Sequence, residues 1–170
     1  RRGCRREHGP VRRSGGRQMT TPQAVLPTVD PAVHPVTGAV RRIAQIPGGA
    51  AAVGPFSQAV AANGFVFTAG QIPAISGLDD QPDTFEDQVR QTIINLRSVL
   101  EAAGSGLEHV VKVNGYLTDP GQLEAYNRVY SEFFGAAKPA RTTVCVSLWG
   151  VALEIECVAV VAAATAPDAP

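Results

Sequence analysis

An α/β (α+β) domain, a mixed β-sheet with two helices packed on one face, is what this sequence predicts, from three observations. Stretches rich in β-branched and apolar residues alternate with two stretches whose apolar residues recur every three or four positions. Asn63-Gly64 separates two short apolar runs, the strongest local signal for a tight hairpin. Both helical stretches carry start and stop residues at the expected places.

Taken in order, residues 42–46 suit a short strand, followed by a loop with the turn signal Gly54-Pro55. Residues 58–62 and 65–69 read as the two arms of the Asn63-Gly64 hairpin. Gly70-Gln71-Ile72-Pro73 then ends the second arm, because proline cannot donate to a ladder. A helix is expected over 84–103. Thr84 with Asp87 approximates a capping box, Phe85, Val89, Ile93, Leu96 and Leu100 form a stripe, and Gly104 stands where a C-terminal cap belongs. Glu86 with Arg90 and Arg97 with Glu101 are spaced as solvated pairs on its outer side. A strand over 109–117 precedes Asp119-Pro120, which opens a second helix running to Phe134. Its expected stripe is Leu123, Tyr126, Tyr130 and Phe133, with Gly135 as the stop and Asn127 beside the stripe.

The final stretch, 138–161, reads as two strands joined by a loop at Leu148-Trp149-Gly150. If Trp149-Gly150 is a two-residue loop, Leu148 pairs with Val151. That register puts Arg141, Thr143 and Cys145 on one face with Glu154, Glu156 and Val158. Residues 153–161 are apolar enough to be covered on both sides, so charges within them need partners or a ligand. Two helices cover only one face of a sheet, and copies of the same chain are the simplest cover for the other.

Composition narrows the function. The 170 residues are 45% hydrophobic, enough for one core, and no apolar run approaches the ~18 residues that span a bilayer, so no membrane partner is expected. Residues 1–18 hold seven arginines and one glutamate. Residues 19–170 hold eight basic and fourteen acidic side chains, a net charge of minus six that argues against a nucleic-acid partner. Neither GxGxxG nor GxxxxGK[ST] is present. Cys4, Cys145 and Cys157 form no CxxC and leave an odd count, which fits a reducing, cytoplasmic compartment. His8, His34 and His109 are too scattered for a metal site, and neither metal nor cofactor is expected. Residues 1–40 read as a disordered leader, of which 1–18 are an upstream extension or expression artefact; 41–162 form the domain and 163–170 a disordered tail.

Six motifs, GPFSQAV (54–60), FTAGQIP (67–73), LEAAGSGLEHVVKVNGYLTD (100–119), YNRVYSEFF (126–134), KPARTTVCV (138–146) and LEIECVAVV (153–161), resemble the RidA family of enamine/imine deaminases in sequence and order. The resemblance implies a homotrimer of chorismate-mutase-like subunits with clefts between subunits. It implies hydrolysis of reactive 2-imino or enamine acids, of the 2-aminoacrylate type, to 2-keto acids and ammonia without cofactor or metal. By position, Arg141 resembles the arginine that grips the substrate carboxylate and Glu154 the glutamate that handles water. Gly70 resembles the cleft glycine and Asn127 the interface asparagine; Phe56 and Thr143 fall at substrate-binding positions. The sequence departs from the family where Phe56 replaces a usual tyrosine, Ala69 a common serine and Thr143 a cysteine. The loop between Arg141 and Glu154 is also about two residues shorter, with Trp149-Gly150 in place of a Leu-Pro-Lys type turn. These changes make the expected pocket more apolar. Competing readings are a trimer that binds small carboxylates without turnover, and an RNA-cleaving or translation-inhibiting protein.

Overall fold

In the computed structural model, residues 39–162 are described except 47, 48, 50, 51, 53 and 79. The expected tail and all but the last two residues of the expected leader lie outside them. The elements in chain order are β1 (Arg41–Ile43), β2 (Ala59–Ala62), β3 (Phe65–Thr68), α1 (Phe85–Ala102), β4 (Val110–Leu117), α2 (Leu123–Phe134), β5 (Ala140–Cys145) and β6 (Leu153–Val160). The strands form one sheet in the order β1-β2-β3-β6-β4-β5. Only β4 and β5 pair in parallel, so the sheet is mixed as expected.

Local signals explain most of the elements. Asn63 and Gly64 both have positive φ (51° and 80°), as a type I′ hairpin turn requires. At the start of α1, the Asp87 amide donates to the Thr84 hydroxyl, which in turn donates to the Asp87 carboxylate. At its end Gly104 takes φ 79°, and the Ser105 amide donates to the Leu100 carbonyl. Between them Val89, Ile93, Leu96, Val99 and Leu100 are buried against the sheet. Each such side chain contributes roughly 1.5–3 kcal/mol.

Two expected contacts change once the helices lie side by side. Arg97 and Glu101 pair within α1 as spaced, but Glu86 pairs with Arg128 of α2, and Arg90 with Asp87 and with Glu132 of α2. The buried stripe of α2 is Tyr126, Val129, Tyr130 and Phe134; Leu123 is exposed and Phe133 only partly covered. The stripe turns because α2 must face both β5 and α1.

The largest correction concerns 138–161, which is not a hairpin. β4 lies between β5 and β6, and residues 146–152 cross its end, where the Val146 amide donates to the Leu117 carbonyl and the Thr118 amide to that of Ala152. The cause is the crossover: β4, α2 and β5 make a parallel β-α-β unit, which seats β5 directly on β4. In this register Arg141 pairs with Val113 and Val113 with Cys157, whereas Glu154 pairs with Tyr116 and Tyr116 with Val144. Because 113 and 116 differ by an odd number, Arg141 and Glu154 lie on opposite faces, not on the shared face expected. β6 itself alternates: Leu153, Ile155, Cys157 and Ala159 are buried, while Glu154, Glu156 and Val158 are half-buried and Val160 is exposed. Within one chain its second face is therefore not covered.

Candidate functional site

On the helix face, α2 holds Arg141 in place. Its guanidinium donates to the Asn127 Oδ1 at 2.7 Å and lies over the rings of Tyr130 and Tyr126, 4.6 and 5.3 Å from their centroids. These contacts orient the planar fork, each ring adding about 0.5–1 kcal/mol at an exposed site. Burial pushes both tyrosine hydroxyls above their ordinary pKa, so the rings remain neutral. Among the described residues Arg141 forms no ion pair. It opens onto a cleft of about 320 Å³ between the end of α2 and residues 135–141, shared with Asn127, Ser131 and Lys138. Thr143, two residues on, lies half-buried on the same face, with Gly115 as its strand partner. A Cβ on Gly115 would stand 2.7 Å from the Tyr126 hydroxyl and 3.6 Å from the Thr143 hydroxyl. Glycine is needed there for space.

On the opposite face Glu154 occupies a separate cavity of about 260 Å³, with Phe56, Gly70, Ile72, Trp149 and Val151 among its walls. The segment after β3 is drawn against β6 by two backbone hydrogen bonds, Gln71 amide to Ile155 carbonyl (2.8 Å) and Ile155 amide to Gln71 carbonyl (3.0 Å). That contact lays Gly70 directly against the Glu154 side chain. Burial, and secondarily the Glu156 carboxylate, raise the Glu154 carboxyl above its ordinary value of 4.5. Within one chain Arg141, on the other face, does not oppose the shift. Among the described residues no side chain hydrogen-bonds Glu154, whereas Glu156 Oε1 accepts from Asn114 Nδ2 (3.0 Å) and Tyr116 Oη (2.9 Å). Glu156 is thus engaged by its strand neighbours and Glu154 is available to a ligand.

The structure therefore sorts the expected residues into two groups. Phe56, Gly70 and Glu154 come together in the cavity, Arg141, Asn127 and Thr143 lie on the helix face, and the two groups do not meet within one chain. Sequence reasoning missed the groups that brace the cavity. Gln58 and Gln71, both buried, are joined by a 2.9 Å bond from Gln71 Nε2 to Gln58 Oε1. Asn95, inside the buried stripe of α1, donates to the carbonyls of Ile72 and Ala74 and pins the cavity rim to the helix. Asn95 was the one legible signal: a polar residue between Ile93 and Leu96, inside the apolar stripe. Among the described residues no cluster of His, Cys, Asp and Glu could hold a metal.

Residues 48–161 match the profile of the family described as Endoribonuclease L-PSP. A RutC family protein of Pyrococcus horikoshii is 44% identical over 116 residues, covering 63% of this chain and 87% of that one. Reactive Intermediate Deaminase A of Arabidopsis thaliana, a chloroplastic protein, is 36% identical over 112 residues, or 64% of this chain and 60% of that protein. The crystal structure of the YjgF gene product of E. coli superposes with a TM-score of 0.66 at 31% identity, over 71% of this chain and 98% of that one. With its mixed sheet and two helices, the chain belongs to the RidA family, whose members also carry the names YjgF and L-PSP.

Proposed function

We propose that the protein is a hydrolytic deaminase that converts reactive 2-imino or enamine acids to 2-keto acids and ammonia. The observation that carries this reading is the division of labour between two prepared groups. One is an oriented guanidinium fork with no carboxylate partner of its own among the described residues; the other is a carboxylate of raised proton affinity in a cavity. Arg141 binds the substrate carboxylate through paired N–H donors and so fixes the imine carbon. Glu154 takes a proton from water as its oxygen attacks that carbon, giving a carbinolamine. As the carbinolamine forms the carboxyl returns that proton to nitrogen; it then carries the hydroxyl proton to the same nitrogen, and ammonia leaves as the C–N bond breaks and the carbonyl forms. An enamine substrate enters after tautomerising to the imine. No cofactor or metal is required by this sequence of steps.

Opposite faces of one chain cannot close on one small substrate, so the reading includes assembly: a homotrimer in which the Arg141 and Asn127 side of one copy meets the Glu154 and Gly70 side of the next. Supporting it, the sheet face away from the helices exposes Phe65 and Phe67, paired in register with Val160 and Val158. The net charge of minus six over residues 19–170 disfavours RNA as the substrate.

The test is to generate an imino acid in situ with an amino-acid oxidase, with catalase present, and follow keto-acid release with and without the protein. Faster release is expected. Release at the spontaneous rate for every imino acid tried would overturn the assignment. Glu154→Gln separates catalysis from simple carboxylate binding, since it should lose turnover and keep keto-acid affinity.

A further inference from the structure

The cavity that holds Glu154 is built for a substrate of particular shape, and we infer that it takes the side chain of 2-imino acids bearing an aromatic or large branched aliphatic group. This deepens the deaminase reading and rests on it. The cavity's polar capacity is nearly spent: Gln58 and Gln71 are buried and bonded to each other, leaving Glu154 as the group that meets a ligand. Its remaining walls are apolar, with Phe56, Ile72 and Val151 around the carboxylate and the Trp149 ring at the mouth.

Size favours the same class. At about 260 Å³ the cavity is well above the ~150 Å³ of an apolar cavity that holds benzene, so a six-membered ring fits and leaves room for the imine beside Glu154. A methyl side chain would leave most of that wall facing water. Among the described residues of one chain no lysine or arginine lines the cavity, so on this side an acidic side chain meets the Glu154 carboxylate.

The rings at the rim are placed to pack on a ligand within this half of the cleft. Trp149 is 99% exposed and Phe56 45%, at a rim where Gly150, with φ 72°, turns the chain back toward β6. Aromatic rings stacked or packed on a ligand's apolar group recover the cost of that exposure. Because Trp149 is almost free of contacts with the rest of the chain, replacing it changes the pocket mouth without removing support from the fold.

Trp149 is the single tryptophan of the chain, so its fluorescence reports on the proposed pocket. The full-length protein is titrated with 3-phenyllactate, lactate and 2-hydroxyglutarate, which share the carboxylate and tetrahedral carbon but carry no imine. In parallel, imines generated from phenylalanine, leucine, alanine and glutamate are compared by kcat/KM. Expected are a change in Trp149 emission with 3-phenyllactate and affinity at least about tenfold above lactate, with the same order among the imines. Calorimetry on Trp149→Ala and Phe56→Ala should show the 3-phenyllactate to lactate ratio falling toward one at an unchanged melting temperature. Equal or tighter binding of lactate or 2-hydroxyglutarate, or ratios untouched in both variants, would overturn the inference. Faster hydrolysis of all imines without preference would overturn it while leaving the deaminase standing. Preference for 3-phenyllactate with no imine hydrolysed would support the pocket and sink the deaminase instead.

Discussion

The Glu154 carboxylate lies where a side chain on Gly70 would have to begin. Gly70 has no positive φ to explain its identity, so the glycine is there for space. Any larger residue forces the carboxylate aside, and because that carboxylate ends a flexible side chain, the fold can yield cheaply. Gly70→Ala should therefore keep its melting temperature within a few degrees and lose at least about tenfold in kcat, since a misplaced catalytic group is costly. Steady-state kinetics beside thermal melts check this; an active Gly70→Ala protein would separate Gly70 from the chemistry.

Arg141 is predicted to act on the ligand and not on stability. Arg141→Lys keeps the charge but loses the two-donor fork, and should weaken carboxylate binding by roughly 1.5–3 kcal/mol. Arg141→Ala should abolish turnover while the oligomer persists. A purely structural arginine would give the reverse, a lower melting temperature with activity per folded molecule preserved.

For Glu154 the pH dependence has a definite sign. Its folded pKa is raised by burial, so the stability linked to its protonated form is fully present below the unfolded value of 4.5 and is lost as pH rises through the folded value. Glu154→Gln removes that loss, so its melting temperature relative to wild type should be higher at pH 7 than at pH 4. Catalysis needs the ionised form, so kcat/KM should fall on the acid side as Glu154 is protonated. An acid limb that persists in the residual rate of Glu154→Gln would remove Glu154 as the base.

Assembly is tested on the open sheet face. Phe67 is 48% exposed and pairs in register with Val158. Phe67→Asp should yield monomers by light scattering and abolish turnover, although Arg141, Asn127 and Glu154 are all unchanged. A stable wild-type monomer at micromolar concentration with full activity would contradict the shared cleft.

The two described cysteines should differ in reactivity. Burial pushes the Cys157 thiol up to about 12, and its amide donates to the Thr68 hydroxyl at 2.9 Å, which ties β6 to β3. In the native protein at pH 8 Cys157 should resist alkylation until denaturant is added, as read by mass spectrometry of the labelled peptides. Labelling of Cys157 at the rate of an unfolded thiol would show that β6 opens from the sheet.

By itself the sequence determined those features whose causes lie within a few residues of one another. Asn63-Gly64 specifies its turn because both positions need positive φ, Thr84 and Asp87 cap α1 from three residues apart, and Gly104 ends it. The motifs around Gly70, Asn127, Arg141 and Glu154 were legible for the same reason, as short runs of specific residues. Only the tertiary structure decided which of these residues share a face. Residues 138–161 have the local pattern of a hairpin, and nothing within them says that β4 will stand between the two strands. That is set by α2, which carries the chain across to pair β5 in parallel with β4 and leaves β6 the far edge of β4. The odd register offset between Val113 and Tyr116 then sends Arg141 and Glu154 to opposite faces. The Gln58–Gln71 and Asn95 hydrogen bonds that shape the cavity were likewise beyond local reading, because they join segments distant in sequence; Asn95 stands out as a polar residue in an apolar stripe, but its partners do not.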